Sequence, residues 1–82
     1  MSGTSEQPLT ADIIGNEIRR HRKAAGLTQK NLADFAGIGK TAVFDIEKGK
    51  PTARLKTLLS VLNVLNMRLQ LNCPLPKEDE HA

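Results

Sequence analysis

The chain has 82 residues, enough for a single small domain. Two Phe are its only aromatic residues besides His, so we expect an aliphatic core rich in Leu and Ile. No apolar run could span a bilayer, and residues 1–10 lack the basic and apolar blocks of a signal peptide. The single Cys73 excludes an internal disulfide framework. These features together predict a cytoplasmic protein.

The net charge of +3 is unevenly distributed along the chain. Between Arg19 and Lys56 there are ten Lys or Arg residues against three Asp or Glu residues, whereas both ends of the chain are mildly acidic. A basic block is often an ordinary solvated face. This one coincides with the motif described below, which favours a polyanionic partner.

The first predicted element is a helix that follows the polar residues 1–8. Thr10 is a candidate N-cap, because its hydroxyl can accept a hydrogen bond from the first turn. Helical spacing places three apolar residues on one face: Ile14, Ile18 and Ala25. Gly26 is a suitable residue to follow a helix end, so we expect the helix to stop near Ala25.

Two short helices are predicted next, separated by the letters GIG. Thr28 would cap the second helix, and the third would begin at Gly39 or Lys40. Gly37 lies where a left-handed residue would turn the chain between them. The expected inward residues are Leu32, Ala33, Ala36, Ile38, Val43 and Ile46. Since neither helix is long enough to be stable alone, the pattern predicts a helix-turn-helix, whose second helix enters the major groove of DNA.

A fourth helix is predicted to open at Pro51–Thr52, with a stripe of leucines along one side. The stripe consists of Leu55, Leu58, Leu59, Leu62 and Leu65. From residue 67 to residue 72 apolar and polar residues alternate, which is typical of a strand. An extension of the fourth helix through Met67–Leu71 is the alternative.

A lone strand cannot satisfy its own backbone hydrogen bonds, so the predicted strand needs a partner. The nearest candidate is the same strand of a second chain, which would form an antiparallel ribbon across a homodimer. The expected dimer interface consists of Met67, Leu69 and Leu71. Such a dimer would present two recognition helices to successive major grooves and would bind an inverted repeat.

The stretch LTQKNLADFAGIGKTAVFDIEKGKP, with IGNEIRRHRKAAG before it, resembles the Cro/C1-type, or XRE, family of helix-turn-helix proteins. The resemblance spans about residues 14–65. It implies a mainly α, lambda-repressor-like domain of four helices, to which the predicted C-terminal strand would be added. It also implies a sequence-specific double-stranded-DNA-binding protein, since family members are usually dimeric transcriptional repressors.

Within that family, the shortness of the chain and the strand after helix four resemble HipB-like antitoxin repressors. In those proteins a shared sheet covers the dimer, and the partner is a HipA-like serine/threonine kinase toxin. The resemblance therefore implies an autoregulating antitoxin that binds a kinase toxin. A stand-alone phage or restriction-control regulator without a toxin is the alternative.

Candidate base-reading residues lie at the start and on the outer side of the third helix. They are Gly39, Lys40, Thr41, Phe44 and Asp45. Lys40 is suited to guanine O6 and N7, Phe44 to a thymine methyl group, and Asp45 to cytosine N4. Other readings stay open: Lys40 as a phosphate contact, and Phe44 as a side chain folded back onto the domain. Asp45 could instead orient Lys48 or Lys40.

Candidate phosphate-binding residues lie around the two ends of the motif: Thr28, Gln29, Lys30, Lys48 and Lys50. In proteins of the resembling family, the residue at the place of Gln29 bonds a phosphate; an ordinary exposed residue is the alternative. The resemblance also implies that Arg22 and Glu47 form a structural ion pair that ties the first helix to the third.

The sequence offers little for catalysis. One Cys and two distant His residues give a metal site little support, and no nucleophile–base pair is evident. Gly37 and Gly39 are too close together for a nucleotide-binding loop. We therefore expect a protein that is not an enzyme and uses no cofactor. The expected organisation is a disordered N-terminus (1–8), a DNA-binding domain (9–66), a dimerisation strand (67–72) and a flexible tail (73–82).

Overall fold

The computed structural model describes residues 8–71, and within them the chain forms four helices. These are α1 (Ala11–Ala24), α2 (Gln29–Ala36), α3 (Lys40–Glu47) and α4 (Leu55–Val64). α2 packs on both α3 and α4, and α1 packs on α3. The mainly α, four-helix architecture that the sequence predicts is confirmed.

One apolar core lies among the helices and receives residues from all four. It consists of Ile18, Leu32, Ala33, Val43, Ile46, Val61 and Leu62. All the predicted inward residues of α2, α3 and their turn lie in this core or pack against it. Burying one such aliphatic side chain contributes about 1.5–3 kcal/mol, so this packing stabilises helices that are too short to form alone.

The turn between α2 and α3 depends on Gly37, as predicted. Its φ is +72°, in the left-handed region that side chains disfavour. Across it, the N–H of Ile38 donates to the carbonyl oxygen of Ala33 at 3.0 Å, the hydrogen bond that commonly closes a helix end. The space where a Cβ would lie is open, so the backbone conformation and not crowding requires glycine here.

The end of α4 is fixed by the same type of turn, with Asn66 in the left-handed position. Its φ is +57°, and the N–H of Met67 donates to the carbonyl oxygen of Leu62 at 2.9 Å. The alternative in which Met67–Leu71 extends the helix is therefore wrong. Residues 67–71 form no strand either. A strand is defined by pairing, and residues 8–71 of this single chain contain no strand to pair with, so the dimerisation strand stays a prediction.

The predicted start of α4 and the predicted inward position of Ala25 are both wrong. Pro51–Thr52 forms a turn, and the backbone of Arg54 is extended, so α4 begins at Leu55. This irregular segment carries the chain from the end of α3 to the start of α4. Ala25 is exposed because it lies at the C-cap, past the last residue of α1, where the backbone already leaves the helix.

The buried side of α4 is narrower than the predicted leucine stripe. Leu58, Leu62 and Leu65 face the core, but Leu55 and Leu59 are exposed. Val61, which is absent from the predicted stripe, is fully buried. The core-facing positions are therefore 58, 61, 62 and 65, an ordinary i, i+3, i+4, i+7 face. Leu55 and Leu59 lie on its flank.

α1 and α3 approach closely at Gly15, a residue that sequence analysis missed. A Cβ on Gly15 would collide with the backbone carbonyl oxygens of Ile46 and Glu47. α1 therefore lies against the C-terminal end of α3, which determines where Arg22, two turns further along α1, meets Glu47.

Predictions for residues 1–7 and 72–82, including Cys73 and the flexible tail, lie outside the described residues. In the part of the chain that is described, none of the helices combines the length and the apolar character needed to cross a bilayer.

Candidate nucleic-acid interface

One face of α3 is buried against the domain and the opposite face is exposed to solvent. Lys40 and Thr41 are exposed in its first turn, and Phe44 follows one turn later with 46% of its surface exposed. Val43 and Ile46 on the other side are 1% and 4% exposed. The helix is thus held by its apolar side and presents cationic, polar and aromatic groups outward.

The start of α3 is open to an approaching ligand. Gly39 is the N-cap, its backbone is extended, and it makes no side-chain capping bond. No group other than its chain neighbours lies within 4 Å of the place where a Cβ would be. The first turn of α3 is therefore sterically unhindered beside Lys40 and Thr41.

Phe44 is partly covered by a cation from its own helix. The Lys48 ammonium lies 5.4 Å from the centroid of the Phe44 ring, within cation–π range. The contact follows from helical spacing, because residues four apart lie on the same face. The aromatic ring is thereby held on the outer side of α3, although nearly half of it remains exposed.

Two clefts flank Phe44. The α2–α3 cleft is lined by Gln29, Lys40, Thr41 and Phe44. The α1–α3 cleft, of about 500 Å³, is lined by Arg19, Arg22, Lys23, Gln29, Phe44, Glu47 and Lys48. Gln29 and Phe44 belong to both, so they form the ridge between the two clefts.

Two of the candidate phosphate-binding lysines have acidic neighbours. Lys50 Nζ lies 3.7 Å from Asp45 Oδ2, and Lys30 Nζ lies 3.0 Å from Asp34 Oδ2. Asp45 therefore pairs with Lys50, whereas the sequence alternatives named Lys48 or Lys40 as its partner. Exposed pairs of this kind contribute at most about 1 kcal/mol, so both lysines can exchange these carboxylates for another anion.

Thr28 caps α2 in a reciprocal arrangement with Asn31, a residue that sequence analysis did not use. Thr28 Oγ1 accepts from the Asn31 N–H at 3.0 Å, and Asn31 Oδ1 accepts from the Thr28 N–H at 3.3 Å. The Thr28 N–H is therefore already bonded within the protein. A further contact from Thr28 would have to be donated by its hydroxyl proton.

One buried carboxylate joins α1, α2 and α3. Glu47, at the end of α3, accepts from Arg22 Nε at 2.6 Å and from Arg22 Nη2 at 3.0 Å. It also accepts from Gln29 Nε2 at 3.1 Å. Arg22 Nη1 donates to the carbonyl oxygen of Leu27, in the segment between α1 and α2, at 2.8 Å. Arg22 and Glu47 are both buried.

The hydrogen bonds that Arg22 donates to Glu47 are the main reason why the pKa of Arg22 is raised, and burial opposes them more weakly. A group whose folded-state pKa is raised contributes its stability below its unfolded pKa. For Arg22 that range covers every pH at which the protein is folded. Arg22 therefore stays charged at every pH at which the protein is folded, and its ion pair with Glu47 joins α1 to α3 throughout that range.

The Glu47 link also constrains Gln29, which begins α2 and lines both clefts. Because one amide hydrogen of Nε2 is directed to Glu47, the side chain is anchored, and its second amide hydrogen is available to a ligand. Among residues 8–71, no cluster of three His, Cys, Asp or Glu side chains is suited to hold a metal ion.

A short helix pair that turns at a left-handed glycine and exposes the first two turns of its second helix is the arrangement of a helix-turn-helix DNA-binding protein. The helix-turn-helix family HTH_3 matches residues 18–72. The chain belongs to this family, the XRE family of DNA-binding transcriptional regulators.

Similar proteins are named as regulators of the same kind. The HTH-type transcriptional regulator y4mF of Sinorhizobium fredii is 39% identical over 61 residues, which cover 74% of this chain and 80% of that protein. The SPbeta prophage-derived HTH-type transcriptional regulator YonR of Bacillus subtilis is 33% identical over 55 residues, or 67% of this chain. The chain spans about half the length of YonR.

Two solved structures share the fold over most of the chain. HipB, as present in the HipA–HipB–O2–O3 complex, matches with a TM-score of 0.74 and 21% identity over 85% of this chain and 99% of its own. The restriction-modification controller protein C.AhdI from Aeromonas hydrophila matches with a TM-score of 0.65 and 28% identity over 71% of this chain and 88% of its own. At 21% identity, the likeness to HipB establishes a shared fold alone.

Proposed function

We propose that this chain is a cytoplasmic, homodimeric transcriptional repressor that binds an inverted-repeat operator. The observation that carries the proposal is the division of α3, with Lys40, Thr41 and Phe44 exposed while Val43 and Ile46 are buried. A helix fixed in this way can enter a major groove without losing its packing on the domain.

Base recognition is assigned to the first two turns of α3. Lys40 donates to guanine O6 and N7, Thr41 gives a hydroxyl contact, and the exposed Phe44 ring packs on a thymine methyl group. Gly39 allows close approach of the backbone. Asp45 accepts from cytosine N4, for which its carboxylate must leave Lys50. That ion pair is weak, because its two atoms are 3.7 Å apart and the Lys50 side chain is exposed.

Phosphate binding is assigned to residues around this surface: Thr28, Gln29, Lys30, Lys48 and Lys50. Gln29 is the best supported of these, because its anchored amide leaves one N–H donor free at the ridge between the two clefts. Lys48 stands beside Phe44, where it can contact the backbone of the strand that Phe44 reads.

The homodimer is assigned to the segment after α4. Leu69 and Leu71 are 43% and 95% exposed, and Met67 packs partly against the core. Pairing of this segment with its copy would bury the two leucines and give each backbone a hydrogen-bonding partner. The two recognition helices would then meet half-sites about one helical turn, roughly 34–36 Å, apart.

The physiological role that we propose is the antitoxin half of a HipBA-like pair, in which the repressor also binds a HipA-like kinase toxin. Support comes from a fold match that covers nearly all of HipB. A second candidate is a stand-alone phage or restriction-control regulator, which the likenesses to C.AhdI and to the prophage-derived YonR favour.

Selection of bound sequences from a random pool of duplexes tests the DNA-binding proposal. We expect one enriched inverted repeat, which the double variant Lys40→Ala/Phe44→Ala no longer prefers. Enrichment of no sequence would contradict the proposal. Coexpression with the product of the neighbouring reading frame separates the two roles: a stable complex with a kinase-like protein favours the antitoxin, and its absence favours the stand-alone regulator.

A further inference from the structure

The cations on the outer surface differ in whether they have an acidic partner. Lys30, Lys50 and Arg20 each lie within 4 Å of a carboxylate, at 3.0, 3.7 and 3.6 Å respectively. Arg19 and Lys23 form no ion pair with any carboxylate in residues 8–71, and neither does Lys48. These last three cations are gathered around one site, the α1–α3 cleft.

The α1–α3 cleft has a neutral floor and positive walls. Arg22 and Glu47 at its floor neutralise each other through their ion pair. Arg19 and Lys23 come from one side, four residues apart on α1 and hence on one face of that helix. Lys48 comes from the end of α3. The local field is therefore that of three uncompensated positive charges, which attracts an anion.

The cleft also offers a fixed uncharged donor. Gln29 lines it, and one of its amide hydrogens is already committed to Glu47, so that the other has a defined direction. Flexible cations around one anchored N–H donor suit a phosphodiester, whose two free oxygens accept several charge-assisted hydrogen bonds.

Its position relates the cleft to DNA. It shares Gln29 and Phe44 with the α2–α3 cleft, in which Lys40 and Thr41 lie. Only the ridge formed by Gln29 and Phe44 would separate an anion in the α1–α3 cleft from Lys40 and Thr41, which are proposed to contact bases. A DNA duplex can fill both clefts at once, with its bases at the α2–α3 cleft and a phosphate of its backbone in the α1–α3 cleft.

We infer that the α1–α3 cleft binds a DNA backbone phosphate, and that Arg19 and Lys23 make α1 part of the DNA interface. This inference rests on the proposed function, and it singles out Arg19 and Lys23 from the many cations of the basic block, each of which the sequence offers as a general phosphate contact. The phosphate positions the protein on the duplex and carries no information about base sequence.

The test is the salt dependence of binding to a mixed-sequence duplex, measured for the full chain and for the single variants Arg19→Ala and Lys23→Ala. The slope of log affinity against log salt is negative, and each lost phosphate contact is expected to reduce its magnitude by about 0.9. The ratio of affinities for the selected operator and the mixed-sequence duplex should not change. Arg20→Ala is the matched control, because it removes one charge from the neighbouring position of the same helix and should leave the slope unchanged.

Three outcomes separate the inference from the function on which it rests. If Arg19→Ala and Lys23→Ala match Arg20→Ala while the wild-type protein binds its operator, the inference is overturned and the function stands. If the wild-type protein binds no duplex, both fail. Titration with inorganic phosphate distinguishes a free anion from DNA: saturable chemical-shift changes at Arg19 and Lys23 with phosphate alone, and no slope change on DNA, would also overturn the inference.

Discussion

Arg22 and Glu47 are 25 residues apart in the sequence, yet two hydrogen bonds join their side chains in the interior, at 2.6 and 3.0 Å. The pair connects the last turn of α1 to the last residue of α3. Gln29 donates to the same carboxylate and brings in the start of α2. Polar contacts as well as apolar packing therefore hold α1, α2 and α3 together.

Glu47→Gln should destabilise the domain strongly, because it leaves the Arg22 charge buried without its counter-ion. We expect a loss of about 3–5 kcal/mol in the free energy of unfolding, measured by urea denaturation. The double variant Arg22→Met/Glu47→Leu, which removes both charges, should recover most of that loss. A single variant as stable as the wild-type protein would show that the pair is dispensable.

Gly15→Ala should be destabilising, although alanine is the better helix former. Helix propensity alone would favour the change by about 0.5–1 kcal/mol. The new methyl group would collide with the carbonyl oxygens of Ile46 and Glu47, and such overpacking costs about 1–3 kcal/mol. Thermal denaturation measures whether the substitution raises or lowers the stability of the domain. Asn16→Ala, at the exposed neighbouring position, is the control and should be neutral or slightly stabilising.

Phe44 should read a thymine methyl group, which can be removed without any change in base pairing. In the selected operator, replacement of one thymine at a time by deoxyuridine should weaken wild-type binding by about 1 kcal/mol at the contacted position. Phe44→Ala should bind less tightly and should no longer respond to that replacement. An equal response in both proteins would assign the methyl contact to another residue.

Leu69→Asp should convert the dimer to a monomer, since two carboxylates would face each other across the proposed ribbon. Sedimentation at micromolar concentration measures the result. Arg68→Asp is the control, because alternation along a strand directs residue 68 to the opposite face. A dimer that survives Leu69→Asp would place the interface elsewhere on the chain.

Most of the fold could be predicted because helix ends and buried helix faces require particular residue types, which can be recognised in the sequence. Thr10, Thr28 and Gly37 mark helix ends with residue types that the local backbone requires. The apolar spacing of α2 and α3 then determines which side is buried. Exposure of Lys40, Thr41 and Phe44 follows from the same periodicity, so the geometry of the candidate surface could be predicted with it.

The features that sequence analysis missed depend on contacts between distant residues. Gly15 is a glycine because of the carbonyl groups of Ile46 and Glu47, more than thirty residues later in the chain. Val61 lies in the core because the neighbouring helices favour a face of α4 that the leucine pattern describes only in part. The pairing of Asp45 with Lys50 likewise requires knowledge of where the turn after α3 places its lysine.

The cationic α1–α3 cleft could not be predicted from the sequence either, because residues from three separate segments form it. In the sequence, Arg19, Lys23 and Lys48 are ordinary members of a long basic block. Only the folded chain shows which cations have an acidic neighbour and which gather around one site. A count of charges could predict a polyanionic partner, but not the position of its phosphates.

The hydrogen bonds of Glu47 are made at the last residue of α3, whereas the side chains that we propose to contact DNA lie in its first two turns. A substitution of Lys40, Thr41 or Phe44 would thus change the preferred operator and leave the hydrogen bonds between Glu47 and the other helices intact. The domain can for this reason acquire new targets through a few surface substitutions, which is how one scaffold could supply regulators of many unrelated genes.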